Sequence, residues 1–189
     1  MFPGDVGDML YQVARGLNRA HEKGIAHRDL KPANIFIVAE GSDEIVKVLD
    51  FGIAKRFGEL QATTGAFQTK IGLLVGTPHY VSPEQAIGSE NIDYRTDIWA
   101  FAVIAFECMT GKRPFRGDTL GAILMAICQQ PLPVPSSVAT VPVGFDGWFA
   151  RAAARNPDER FGSIMDAIAY LRVVCKLAST RPPAPSHST

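Results

Sequence analysis

Three oxygen-bearing side chains, Asp29, Asn34 and Asp50, fall at positions where short runs of different periodicity meet. Asp29 and Asn34 lie in His27-Arg28-Asp29-Leu30-Lys31-Pro32-Ala33-Asn34, and Asp50 opens Asp50-Phe51-Gly52. Loop and strand ends of this kind can converge on one point. A carboxylate that orients a hydroxyl nucleophile, beside oxygen ligands for hard Mg²⁺ ions, is what phosphoryl transfer requires. Lys31 stands two residues from Asp29, on the same side of an extended segment, where its ammonium can neutralise a transferring phosphoryl group. Pro32 removes a backbone donor and stiffens the loop. Taken singly, each Asp and Asn also suits a turn or cap; their joint register is what favours chemistry.

The elements that must position these residues are legible from periodicity. Val6, Met9, Leu10, Val13, Ala14, Leu17 and Ala20 recur at helical spacing, and Gly24 follows, so a helix is expected over 5–23. Residues 34–38 and 45–49 are β-prone runs separated by Glu40-Gly41-Ser42-Asp43, which suggests a hairpin. Residues 51–71 are polar and mixed and read as a long surface loop, a length that usually signals function. Thr96 is the expected cap of a helix to Thr110, closed by Gly111 and apolar on every side between Ile98 and Phe106. Further helices are expected from Asp118, over 145–154, and over 163–174, the last with a capping-box-like Ser163-x-x-Asp166. Residues 179–189 are Pro/Ser-rich and read as a disordered tail. The fold class is therefore mainly α with a small β-hairpin, in one domain over 1–178.

Composition narrows the function classes. In 189 residues, 19 Lys and Arg balance 19 Asp and Glu, which gives no global handle on nucleic acid or an anionic membrane. A hydrophobic fraction of 47% with 20% charged residues describes a globular chain rather than a disordered one. Cys108, Cys128 and Cys175 are odd in number and lie far apart, which argues against a disulfide framework or a zinc site. The N-terminus lacks the pattern of a secretory signal, and the longest apolar run is too short to span a bilayer, so a cytoplasmic location is expected.

Five ordered signatures then carry a resemblance. His27–Asn34, Asp50-Phe51-Gly52, Gly76-Thr77-Pro78-His79-Tyr80-Val81-Ser82-Pro83-Glu84, Asp97-Ile98-Trp99 and Arg160 resemble the C-terminal lobe of eukaryotic-like protein Ser/Thr kinases, most closely the bacterial Hanks-type branch. The resemblance implies a protein-kinase-like fold, ATP and Mg²⁺ as cofactors, and a protein substrate with a Ser or Thr acceptor. Asp29 resembles the catalytic base, Lys31 the lysine that contacts the γ-phosphate, and Asn34 and Asp50 the metal ligands. Phe36 would be core, lining the adenine site from below. Thr77 resembles the threonine that bonds toward the catalytic Asp and Lys. Arg28 implies control by a phosphorylated activation loop, for which Thr69 is the first choice, ahead of Thr63 and Thr64. Glu84 and Arg160 match a structural ion pair.

Departures from the family are also present. Ser82 and Ala102 stand where the family usually has Ala and Gly. A Gly-rich phosphate loop, a strand Lys and a helix Glu would precede this region, and only four residues precede the expected first helix. The leading expectation is a portion of an active protein Ser/Thr kinase. The alternative is a non-catalytic kinase-like interaction module. A small-molecule phosphotransferase is disfavoured, having no use for the 76–84 segment. An apolar patch around Phe36 and Phe51 would favour self-association. Outside the catalytic motif, His79 and His187 are expected to be solvated loop residues, and the cysteines inert packing residues.

Overall fold

The computed structural model describes residues 3–41, 43–51 and 78–179. Thr69, Thr77 and His187 lie outside the described residues, as does most of the tail.

The first helix, α1 (Pro3–His21), buries Val6, Leu10, Val13, Ala14 and Leu17 completely, the face that the helical spacing foretells. It is followed by the antiparallel hairpin of β1 (Ile35–Glu40) and β2 (Asp43–Val48), in which Ile35 pairs with Val48 and Glu40 with Asp43. The strands extend further toward the turn than the apolar runs suggest, because Glu40 and Asp43 still pair across it. The side-chain amide of Gln12 in α1 accepts from the Val46 N–H (3.0 Å) and donates to the Glu44 carbonyl (3.1 Å). That amide satisfies an edge β1 does not reach, and so fastens the hairpin to α1.

The remaining described elements are helical. A four-residue helix, α2 (Pro83–Ala86), escaped the sequence reading and is capped by Ser82 and Gln85 acting reciprocally. α3 (Arg95–Thr110) is buried from Thr96 to Phe106, as its all-round apolar composition demands. Its start is a correction: Thr96 lies inside the first turn, Tyr94 is the N-cap, and the Asp93 carboxylate takes the Arg95 N–H at 2.8 Å. Gly111 closes α3 at φ 68, a left-handed position that only glycine takes at no cost. α4 (Leu120–Cys128) is capped by Thr119 rather than begun at Asp118. α5 (Phe145–Ala152) and α6 (Ile164–Ser179) complete the core; Ser163 caps α6 through Asp166 at 3.0 Å, and α6 runs one residue into the segment read as tail.

Around α3 the core is aromatic. Trp99, Phe101, Phe106, Phe145, Trp148 and Phe149 are all at most 1% exposed, and Trp99 stacks on Phe115 at 5.3 Å between centroids. α1 lies along α6, where the missing side chain of Gly7 lets the backbones approach: a Cβ there would meet the Cys175 Cβ at 3.3 Å. No described helix is long and apolar enough to cross a membrane.

Candidate active site

The site hangs on one buried carboxylate. Asp97, in the first turn of α3, is 1% exposed and accepts three hydrogen bonds. They come from the His27 N–H (2.7 Å), the Arg28 N–H (2.8 Å) and His21 Nε2 (2.8 Å). A carboxylate removed from water needs such donors, and the two backbone bonds tie the 27–34 loop to the centre of the core. Arg28 there takes φ 63.

His27, fully buried, links the two halves of the motif. Its Nδ1 accepts from the Asp29 N–H (3.3 Å), which leaves Nε2–H to donate to the Leu49 carbonyl (2.9 Å). Its ring lies 4.6 Å from that of Phe51, centroid to centroid. The Leu49 N–H in turn donates to the Asn34 carbonyl (2.9 Å), so the residue preceding Asp50 is bonded to both ends of the loop. His27 is therefore structural, as expected, and Asp50 follows at φ 57, exposed, in a left-handed position that non-glycine residues seldom take.

Asp29, Lys31 and Asn34 come together. Lys31 Nζ lies 2.9 Å from Asp29 Oδ2, and Asn34 Nδ2 donates to the Asp29 carbonyl at 2.9 Å. Asn34 is 6% exposed, and with its amide nitrogen committed, its oxygen is the atom left to offer a cation. The exposed Asp50 carboxylate, one residue past the Leu49 that bonds the Asn34 carbonyl, and the Asn34 amide oxygen are hard donors of the kind Mg²⁺ takes when phosphates and waters supply its other ligands, so their chemistry fits the metal the resemblance implies. Beside them is a cavity of about 10 Å³, room for about one water, walled by Asp29, Lys31, Tyr80, Val81 and Gln85.

The other expected residues are placed as follows. Glu84 and Arg160 form a two-pronged pair, Nη1–Oε1 2.8 Å and Nη2–Oε2 2.7 Å, with Arg160 3% exposed. Arg28 donates from Nη2 to the Ile92 carbonyl (2.9 Å), and Gln85 Nε2 donates to the Arg28 carbonyl (2.7 Å). Ser82 bonds the Thr96 hydroxyl at 2.7 Å, a use for the hydroxyl that the family's usual Ala would lack. Phe36 is a correction: it is 49% exposed, outside the core, with Ile37, Val38 and Leu49 also exposed on the hairpin. His79 is a second correction, half-buried rather than solvated, its Nδ1 bonded to the Phe115 carbonyl at 3.1 Å. The anchoring role of Asp97 was missed by sequence reasoning, which saw in it only a helix start.

A single lobe of helices with one hairpin, carrying Asp29, Lys31 and Asn34 on a loop pinned by Asp97, defines the chain's class: it belongs to the protein kinase domain family, whose family model matches residues 2–160. Among individual proteins, it is 45% identical over 163 residues to the serine/threonine-protein kinase Pkn1 of Myxococcus xanthus, covering 85% of this chain and 23% of that protein. It is 37% identical over 159 residues to PknH of Mycobacterium bovis (84% and 25%) and 39% identical over 151 residues to PknE of Mycobacterium tuberculosis (79% and 25%), both serine/threonine-protein kinases. The chain thus spans about a quarter of the length of these relatives. The crystal structure of the Mycobacterium tuberculosis PknI kinase domain superposes with a TM-score of 0.66 at 26% identity, over 93% of this chain and 56% of that one.

Proposed function

We propose that this chain is the C-terminal-lobe portion of a cytoplasmic protein Ser/Thr kinase, with residues 1–178 as the catalytic portion and 179–189 as a tail. The observation that carries the reading is the Asp29–Lys31 contact of 2.9 Å on a loop held by the Asp97 carboxylate, His27 and the Asn34 amide nitrogen. In this reading the acceptor hydroxyl of a protein substrate lies against Asp29, which takes its proton as the oxygen bonds to phosphorus and the bond to the leaving diphosphate breaks. Lys31 offsets charge on the moving phosphoryl group, and Asn34 and Asp50 hold the metal. Bound MgATP supplies the phosphoryl group and the cationic charge beside it. Thr77 would bond toward Asp29 and Lys31, and a phosphate on Thr69 would draw on the Arg28 donors that Ile92 leaves free. Phosphopeptide mapping of active protein that finds Thr69 unmodified removes that last assignment.

The test is phosphoryl transfer to a generic protein substrate by the chain alone and by the chain fused behind the nucleotide-binding portion of a relative's kinase domain. The fusion should transfer phosphate, Asp29→Asn should lower its kcat by about 10³-fold or more with nucleotide affinity nearly unchanged, and the chain alone should be near background. Substantial turnover in the Asp29→Asn fusion refutes the reading. The exposed apolar side chains of Phe36, Ile37 and Val38 on the hairpin and of Leu49 just past it favour a second reading, a non-catalytic interaction module that self-associates through this hairpin. An inactive fusion together with a dimer in sedimentation, broken by Phe36→Glu, would support that instead.

A further inference from the structure

A groove of about 470 Å³ opens at the C-terminal end of α3, and its charge among the described residues is one-sided. Among the described residues, Lys112, Arg113 and Arg116, all exposed, line it with a single carboxylate, Glu107, which leaves a net charge of +2. Glu107 is committed inward: it accepts from the Tyr80 hydroxyl at 2.5 Å and lies 3.4 Å from Arg113 Nε. Asp118, the next acidic residue in the chain, is outside the groove.

The loop that carries the cations is anchored from beneath. Phe115, between Arg113 and Arg116, is 2% exposed and stacked on Trp99, and its carbonyl is bonded to His79. Arg116 Nε donates back to the Arg113 carbonyl at 3.2 Å. A loop so anchored presents its charges with less ordering still to be done on binding. Among the described residues the Lys112 ammonium has no partner.

Tyr80 joins this groove to the catalytic loop. Its side chain lines the small cavity with Asp29 and Lys31, while its hydroxyl is bonded to the groove's Glu107. One tyrosine side chain therefore links the Asp29 cavity to the groove's Glu107.

Resting on the kinase reading above, we infer that this groove binds acidic side chains flanking the acceptor hydroxyl of the protein substrate, and that Lys112, Arg113 and Arg116 set that preference. A nucleic acid is the weaker match: the whole chain is neutral, and the basic charge is confined to one loop rather than laid out as a track for a phosphate backbone.

The test needs no catalysis. Fluorescence anisotropy on the full 189-residue chain compares labelled peptides with Ala at the acceptor position and either Glu or Gln at the flanking positions. The Glu peptide should bind about tenfold tighter. The preference should vanish in Lys112→Glu and in Arg116→Glu, and at 1 M salt, where charges are screened within about 3 Å. Far-UV circular dichroism selects variants that remain folded, and Lys112→Glu removes no side-chain hydrogen bond or ion pair among the described residues. Equal binding of the two peptides, an unchanged preference in both variants, or a single-stranded oligonucleotide that displaces the Glu peptide at lower concentration than unlabelled peptide does would each overturn the inference. A Glu preference in a chain whose fusion transfers no phosphate would uphold the groove and sink the kinase reading, so the two failures are distinguishable.

Discussion

Asp97 holds Arg28 in a left-handed backbone conformation: the Arg28 N–H at φ 63 donates to Asp97 Oδ1 at 2.8 Å. For a residue with a Cβ this conformation costs about 1–3 kcal/mol, and charge-assisted hydrogen bonds from a buried carboxylate are strong enough to offset it. Asp29, which meets Lys31 at 2.9 Å, follows directly on this reversal of the chain. The rigid helix thus dictates the loop's path from 69 residues away.

Asp97→Ala should therefore destabilise the protein well beyond the usual cost of a lost contact. It orphans the His27 and Arg28 N–H groups and His21 Nε2 together, at about 1–3 kcal/mol each. Urea unfolding of variant and parent checks this, and an unchanged midpoint would show that the loop holds its path without the carboxylate.

The Glu84–Arg160 pair should be asymmetric. Glu84→Gln leaves a buried guanidinium without its counter-charge, which costs about 3–5 kcal/mol. Arg160→Met should cost more, because Arg160 also donates to the carbonyls of Ala154, Arg95 and Arg155, and its guanidinium lies 5.3 Å from the Trp99 ring. Thermal melts that rank the two variants the other way would refute this division of roles.

His79 makes stability fall toward acid. Burial, and then the nearby Arg113 charge, lower its pKa from the ordinary 6.5. The folded state thus binds this proton less readily than the unfolded one. Its stabilising contribution is present above pH 6.5, and is lost as pH falls through 6.5 toward the lower folded value. Between about pH 7.5 and pH 5 the parent should lose more Tm than His79→Gln does. Parallel curves would dismiss the histidine as the source.

Thiol labelling should report folding rather than function. Burial pushes the thiol pKa values of both Cys108 and Cys175 up to about 11, so at pH 8 only about one thiol in a thousand is ionised at each. Iodoacetamide should modify both slowly in the native chain and all three cysteines promptly in urea. Fast native labelling of Cys175 would mean that α6 separates readily from α1.

Part of this site is legible without a structure, because Asp29, Lys31 and Asn34 lie within six residues and contact one another there. The helices were readable for the same reason, since Val6 to Leu17 share one face by spacing alone. What could not be read depends on distant partners. Nothing near Asp97 signals that its carboxylate closes on His21, His27 and Arg28. The β-prone apolar run 34–38 marks a strand but cannot say which of its faces another element covers, so Phe36 reads as core from sequence and is half exposed in the structure. His79 is seated by the Phe115 carbonyl, 36 residues on.

The packing of α1 along α6 sets a timetable during synthesis. Gly7 faces Cys175, Asp8 meets Arg172 at 3.2 Å, and Arg172 lies over the Tyr11 ring at 4.4 Å. α1 is made first, yet the helix it rests on begins at Ile164. At about 5–20 residues per second, a ribosome needs roughly 7–30 s to make the chain between them. For that interval part of the apolar face of α1 stays uncovered, so the nascent polypeptide offers chaperones a binding segment that the finished protein conceals.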